Sequence, residues 1–352
     1  MEKINIAIIG CGNISNVHTS SYQKNHLVNI AAACDINEER AKEYCRKYNI
    51  PAYYTDHKEL LKDKNIDAVS VCTWNNSHAE IAIDALYAGK HVLCEKPLAI
   101  SYDKALLMEK AQHETGKLLM VGFVRRFGRN ARLLKEFVDN GFMGDIYYAK
   151  TGCLRRNGNP TGWFSDISKS GGGPLIDLGV HMIDLCRYVM GKPKAVTVFG
   201  ATNNSLGPQL DVKMVDRYSP VDKGTLSDVE DFAKAMIRFE NGAILSVEVS
   251  FSLHIKEDQI YCEVYGTKAG ATIEPNLEII SNINGYNVDV TPKYTKESNF
   301  FNQIFEEEIN HFVDCIINKT ECLNPVEDGV ELMRILGAIY ESARTGKEVQ
   351  LN

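Results

Sequence analysis

Asp177 and His181 stand four residues apart in the run Gly171–Leu185, GGGPLIDLGVHMIDL, with apolar residues on both sides. An imidazole titrates near neutrality, and a carboxylate one helical turn away can orient it, so the pair can accept and return a proton. The same two groups can also form a buried structural pair that satisfies itself. The run alone leaves both readings open. Asp184 follows three residues after His181, so the three polar groups fall at i, i+4 and i+7 on one face of a helix. Pro174 suits the first turn of that helix, and Gly171–Gly173 form its entry turn. Leu178, Met182 and Leu185 flank the polar stripe on one side, and Ile176, Val180 and Ile183 on the other. A helix apolar on both flanks is normally buried, so the stripe is expected to face a closed site.

A second group lies near the start. An apolar run from Ile4 to Ile9 leads into Gly10-Cys11-Gly12-Asn13-Ile14-Ser15, with Ser15 where a third glycine often stands. Two glycines in a turn are a weak signal by themselves. Between a strand and a helical pattern they match the dinucleotide fingerprint: glycine lets the backbone approach a pyrophosphate, and the helix N-terminus offers N–H groups. A second apolar run, Val28 to Cys34, ends at Asp35. An acid there can accept from ribose hydroxyls and would repel a 2′-phosphate, which favours NAD over NADP. Arg40 either packs over the adenine or sits solvated on its helix.

These groups need a scaffold. The chain has 352 residues, too many for one core of ordinary size, so two domains are expected. Strand and helix patterns alternate through the first third: strands at Ala68–Thr73, His91–Cys94 and Leu118–Gly122, helices at Ala79–Ala88 and Tyr102–Glu114. That alternation predicts an α/β fold with a doubly wound parallel sheet, whose ligands lie at the carboxyl ends of the strands. Three polar loops leave those ends, TWNNSH (Thr73–His78), CEKP (Cys94–Pro97) and GFVRRF (Gly122–Phe127). Beyond Gly122 the pattern changes. Ile146–Cys153, Ala195–Gly200, Ala233–Phe239, Leu245–Phe251 and Gln259–Tyr265 read as successive strands, and Asn241-Gly242 is a hairpin signal. The boundaries are therefore residues 1–122 and 123–352, the second part built on a large open, mostly antiparallel sheet. Leu206–Gly224 lacks periodicity and reads as a long loop.

Composition excludes several classes. Net charge is −7, which disfavours nucleic acid as a partner. No apolar run approaches the roughly 20 residues that span a membrane. The N-terminus reads as an immediate strand rather than a signal peptide. Ten cysteines are scattered without CxxC spacing, several of them in apolar strands, which predicts buried thiols in a reducing cytoplasm. No His/Cys cluster has zinc spacing, so no metal is expected.

Taken in order, GCGNIS, CDINEERA, TWNNSHAEIA, CEKPLA and GGGPLIDLGVHMIDL resemble the glucose–fructose oxidoreductase/inositol dehydrogenase family. The resemblance covers nearly the whole chain, down to EDGVELMRILGAIYESARTGKEVQL, similar to that family's closing helix and strand. The final helix is placed to pack back on the first domain. The resemblance implies an N-terminal Rossmann domain, NAD, and hydride transfer at a secondary alcohol or ketone of a sugar or cyclitol. It assigns Lys96, Asp177 and His181 to catalysis: His181 as the base, Asp177 as its orienter, Lys96 as donor to the substrate oxygen. Cofactor contacts fall on Gly10, Gly12, Asn13, Ile14, Asp35, Arg40, Thr73, Asn75, His78 and Glu95. Trp74 replaces the proline expected in its loop. Pro97 is a candidate for a cis peptide.

Arg126, Trp163 and Asn157 are the candidate substrate contacts. Arg126 belongs to a basic run (Arg125, Arg126, Arg129, Arg132) that is either an anion pocket or a solvated face, the second being the commoner case. Trp163, in the turn-rich NGNPTGWF, either stacks on a sugar ring or fills a core gap. GGGPLIDLGVH is richer in glycine than expected for inositol dehydrogenases and closer to sugar-acting relatives. Two alternatives stand beside a dehydrogenase: a redox-neutral glycoside hydrolase of the same fold, and a non-catalytic metabolite sensor, which would not need the proton-transfer set. An uncovered apolar sheet face predicts a homodimer or homotetramer.

Overall fold

The structure, a computed structural model, describes residues 3–209, 212, 218–222, 224, 226–293 and 301–351. In chain order its elements are β1 (Ile4–Ile9), α1 (Asn13–Lys24), β2 (Val28–Cys34), α2 (Glu38–Tyr48), β3 (Ala52–Tyr54), α3 (His57–Leu61), β4 (Ala68–Val71), α4 (His78–Tyr87), β5 (His91–Cys94), α5 (Tyr102–Thr115) and β6 (Leu119–Val121). There follow α6 (Arg129–Asp139), β7 (Ile146–Leu154), α7 (Ile167–Ser170), α8 (Val180–Val189), β8 (Ala195–Asn203), β9 (Phe232–Phe239), β10 (Ile244–Ser250), β11 (Gln259–Gly266), β12 (Ala269–Glu274), β13 (Glu278–Ile283), β14 (Tyr286–Val290), α9 (Phe301–Ile317), α10 (Val326–Thr345) and β15 (Val349–Gln350). Among the described residues no helix is long and apolar enough to cross a membrane.

The chain forms two compact units. The first comprises residues 1–124 and 300–333, the second residues 125–299 and 334–352. The first therefore takes in more than a cut at Gly122 implies. α9 joins it because that helix packs on α1: Lys24 pairs with Glu306 at 2.6 Å, Asn25 bonds Asn310 at 2.8 Å, and the rings of His18 and Phe305 lie 5.9 Å apart. Six strands run parallel in the order β3-β2-β1-β4-β5-β6, the order of a dinucleotide-binding sheet. β1, β4 and β5 are apolar nearly throughout and buried on both faces, as helices on both sides of a parallel sheet require.

The second unit is a nine-stranded sheet in the order β14-β13-β12-β11-β7-β10-β9-β8-β15. Only the β7–β10 pair in it is parallel. The five expected strands are present, each shifted at its ends by no more than three residues. Asn241-Gly242 lies in the β9–β10 hairpin, with Gly242 at φ +83°. β12 to β14 extend the sheet beyond those strands, and the β13–β14 hairpin turns on Asn284-Gly285, both at positive φ. Of the loop Leu206–Gly224, residues 210–211, 213–217 and 223 lie outside the described residues.

One sheet face is apolar and buried: Ala233, Ala235, Ile237 and Phe239 of β9, and Leu245, Val247 and Val249 of β10. The other was expected to be apolar and is mixed, with Phe199, Met236 and Ile280 exposed among charged pairs. Lys234 pairs there with Glu248 and Lys150 with Glu263, while Tyr148 stacks on Tyr265 at 5.5 Å. Gly152, beside Glu248 on β10, leaves room for the Tyr261 ring, whose hydroxyl donates to Glu248 at 2.5 Å. Opposite charges and aromatics alternate across these strands, so much of the face is satisfied by its own cross-strand pairs.

Candidate active site

In the first unit the glycines divide the work. A Cβ on Gly10, at φ +93°, would lie 2.6 Å from the Cys72 carbonyl oxygen, so that position holds glycine for packing and conformation. A Cβ on Gly12 would meet nothing within 4 Å. Gly12 borders open space at the N-terminus of α1, which no side chain caps. Asn13 and Ile14 open that helix. Such an end suits a pyrophosphate. Asp35 follows β2 and is buried, and its carboxylate accepts from the Cys11 and Asn37 N–H groups, both at 2.9 Å. A carboxylate has about four acceptor sites, so capacity for ribose hydroxyls remains. Arg40 lies 3.6 Å from Asp35 and is largely covered.

Thr73, Asn75 and His78 occupy the loop after β4, and Glu95, Lys96 and Pro97 the loop after β5. Asn75 is buried and opens a short 3-10 turn ahead of α4. His78 was expected to touch the cofactor, but it is fully buried, with Nδ1 2.8 Å from the Pro97 carbonyl and Nε2 3.2 Å from the Thr73 carbonyl. Burial lowers its pKa against these two bonds. Its ring ties the two loops together and has no surface left for a ligand. The Lys96–Pro97 peptide is cis. Lys96 is half-buried, and its backbone N–H donates to Glu95 Oε2 at 3.1 Å.

Residue reading missed His18. It is fully buried on α1, with Nε2 2.8 Å from Glu95 Oε1 and Nδ1 2.9 Å from Ser70 Oγ. Burial opposes its charge, but Cys72 and Glu95 outweigh it and push the imidazole up to about 10. Glu95 is likewise penalised by burial, yet its bond to His18 holds it below the usual carboxylate range. The signal was available as a histidine eight residues into the fingerprint, at Gly10 + 8, facing inward on an otherwise ordinary helix.

In the second unit the run opened above is not one α-helix. Leu175–Gly179 forms a π-helical turn, and α8 begins at Val180. A π turn closes i→i+5 and shifts the phase of everything after it, and such turns are frequent at functional sites. Between Gly172 and Met190 every residue is buried except Asp177 and His181. Asp184 leaves their stripe. It is 2% exposed and grips Arg126, whose Nε donates to Oδ2 at 3.0 Å and Nη2 to Oδ1 at 2.6 Å. Arg126 was expected to contact substrate. It is fully buried and forked onto Asp184, with its guanidinium 5.2 Å from the Tyr188 ring, so it supports α8 from behind. Nor is its basic run a solvated face: Arg125 pairs with Glu274 at 3.0 Å, and Arg132 lies over Phe127.

The glycines before Asp177 have a structural cause. A Cβ on Gly172 would lie 2.0 Å from the Tyr340 hydroxyl, and one on Gly173 2.1 Å from the Glu230 carbonyl oxygen. Buried Glu230 accepts from the Gly173 N–H at 2.9 Å, the Leu175 N–H at 3.1 Å and the Tyr340 hydroxyl at 2.8 Å. It caps the entry to the π turn; burial raises its pKa against these bonds.

Asn157 is half-buried, and its Oδ1 is buried without a hydrogen bond to the protein. Trp163 is half-buried and stacked on Phe164 at 3.9 Å. The loop carrying it is held by Asn159, whose Oδ1 accepts from the Thr161 N–H and the Ser165 hydroxyl, both at 2.8 Å. Thr161 sits at φ +63°, a rare conformation for a β-branched residue that ordered loops near sites often retain.

Residues 4–123 match the family described as an oxidoreductase family with an NAD-binding Rossmann fold, and residues 135–351 match its C-terminal alpha/beta domain. The chain is 35% identical over 355 residues to D-glucoside 3-dehydrogenase of Escherichia coli K12, covering 99% of this chain and 97% of that one. It is 31% identical over 265 residues to myo-inositol 2-dehydrogenase of Thermotoga maritima, covering 75% and 73%. Levoglucosan dehydrogenase in complex with NADH superposes with a TM-score of 0.87 at 25% identity over the full length of both chains. An uncapped, glycine-bordered helix end with Asp35 after β2, two family domains in sequence, and full-length dehydrogenase relatives converge: the chain belongs to the Gfo/Idh/MocA family of NAD-binding oxidoreductases.

Proposed function

We propose that this enzyme catalyses reversible NAD-dependent oxidation of a secondary alcohol of a sugar or cyclitol. The observation that carries the reading is the exposure pattern of α8 and its π turn: two half-buried ionisable side chains in an otherwise fully buried run. His181 takes the hydroxyl proton and returns it in the reverse direction. Asp177 orients that imidazole and accepts from a neighbouring hydroxyl. Lys96 donates to the substrate oxygen and stabilises charge as it develops. The family resemblance assigns Lys96 to the same reaction as the other two.

Gly10, Gly12, Asn13, Ile14, Asp35, Arg40, Thr73, Asn75 and the Glu95–Lys96 turn hold the cofactor, whose nicotinamide when bound supplies the hydride acceptor. Asn157 supplies an acceptor for a substrate hydroxyl, consistent with its buried and unbonded Oδ1. Trp163 offers a face to the sugar ring. The chain self-associates as a homodimer or homotetramer through the open sheet face, where Phe199, Met236 and Ile280 remain exposed among the ion pairs. Its site of action is the cytoplasm, a reading supported by ten scattered cysteines that are free and mostly buried.

The test is NADH absorbance with glucosides, anhydrosugars, aldoses and inositols offered in turn. NADH formation with one class, abolished by His181→Ala while NAD still binds, is the expected result. Unchanged turnover in that variant, or cleavage of a glycoside without net NADH, would overturn the assignment.

A further inference from the structure

α9 carries His311 and Cys315 one turn apart, and the loop after it carries Cys322. One imidazole nitrogen and both sulfurs lie within 4.8 Å of one another. Cys315 Sγ is 3.4 Å from His311 Nε2. Ligands of tetrahedral zinc, with Zn–S about 2.3 Å and Zn–N about 2.0–2.1 Å, sit about 3.5 Å apart. The Leu323 N–H donates to the same Nε2 at 2.9 Å. A backbone N–H can only donate, so Nε2 bears the lone pair and Nδ1 the proton, the tautomer that ligates through Nε2. Cys315 is buried, while His311 and Cys322 are half-buried, which leaves a way in for an ion.

We infer that His311, Cys315 and Cys322 form a site for a thiophilic divalent cation of the zinc type, with its fourth position open to water. The inference departs from the expectation of no metal. His311-x3-Cys315 is too sparse to stand out in the sequence, and Cys322 joins it only through the fold of the loop. Nothing in the proposed hydride transfer uses the site, so its role is structural. Two residues past Cys322, the Asn324 carbonyl accepts from the Val121 N–H at 3.0 Å and its side-chain amide donates to the Val121 carbonyl at 3.1 Å. Pro325 lies opposite Met120. A bound ion ties α9 to the loop that edges β6, replacing the Leu323 bond.

The experiment titrates the reduced, full-length protein with Co²⁺, followed by thiolate-to-cobalt charge-transfer absorption, and then displaces it with Zn²⁺. Expected are a single equivalent and a Zn²⁺-dependent rise in melting temperature. Cys322→Ser and His311→Gln should each weaken binding at least about tenfold, with circular dichroism and basal turnover unchanged. Absence of the charge-transfer band at saturating cobalt would overturn the inference. So would an undiminished band in both variants, or a Cys315–Cys322 disulfide in the protein as isolated.

Discussion

His18 and Glu95 meet at 2.8 Å in the interior of the parallel-sheet unit, and the other Glu95 oxygen accepts from the Lys96 N–H at 3.1 Å. A charged pair closed to water thus sits directly beneath the residue proposed to polarise the substrate. Removing one partner of such a pair leaves the other buried and uncompensated, so His18→Gln should cost about 3–5 kcal/mol in denaturant unfolding. The pH dependence has a sign. Because the His18 value is raised from 6.5 to about 10, its stabilisation is fully present below 6.5 and is lost as pH rises toward 10. Glu95 is lowered from 4.5, so its share is present above that value and is lost as pH falls through its folded value. The stability gap between wild type and His18→Gln should therefore narrow on the alkaline side. A gap that stayed constant across that window would show that His18 is not charged in the fold.

The fork between Arg126 and Asp184 predicts a stability effect rather than a substrate effect. Arg126→Ala should destabilise by about 3–5 kcal/mol, and the double variant with Asp184→Ala should lose less than the sum of the singles. Per folded molecule, KM for the sugar should stay within about twofold of wild type, since truncation removes no ligand contact. A raised KM at unchanged stability would return Arg126 to the substrate.

Two glycine-to-alanine changes should behave oppositely. Gly173→Ala meets the Glu230 backbone at 2.1 Å and should lower stability by about 1–3 kcal/mol or more. Gly12→Ala meets no protein atom within 4 Å, at a φ of −85° that alanine adopts freely. It should leave the melting temperature alone and weaken NAD binding roughly tenfold, about 1.4 kcal/mol. Calorimetric titration with NAD beside thermal melts distinguishes the two; equal NAD affinity in Gly12→Ala would move the pyrophosphate away from α1.

His181→Ala and Asp177→Asn should each lower kcat by roughly 10²–10⁴-fold, the usual scale for lost acid–base catalysis. Both side chains are only half-buried, so their removal should shift unfolding midpoints less than loss of the fully buried His18 does. A large stability loss with modest kinetic change would instead reveal the self-satisfied structural pair that the sequence left open.

The alternating strands and helices of the first unit, the glycine turn, Asp35 at the end of β2 and the Asp177–His181 spacing were legible because each depends on a few neighbouring residues. Period, turn chemistry and helix ends are local properties. The π turn at Leu175–Gly179 was not legible, since Glu230, which accepts from the Gly173 and Leu175 N–H groups at its entry, and Tyr340, which donates to Glu230, lie far along the chain. The same holds for His78 turned inward onto two carbonyls, for Arg126 folded onto Asp184, and for His18 reaching Glu95 across 77 positions of sequence. A buried charge takes whichever partner the tertiary packing brings within reach, because leaving it unpaired costs more than any local preference supplies. By itself, then, the sequence determined which chemistry the chain could carry and on which elements. Only the tertiary structure decided which ionisable groups are fully buried in holding the fold and which, Asp177 and His181 among them, keep part of their surface exposed on an otherwise buried run.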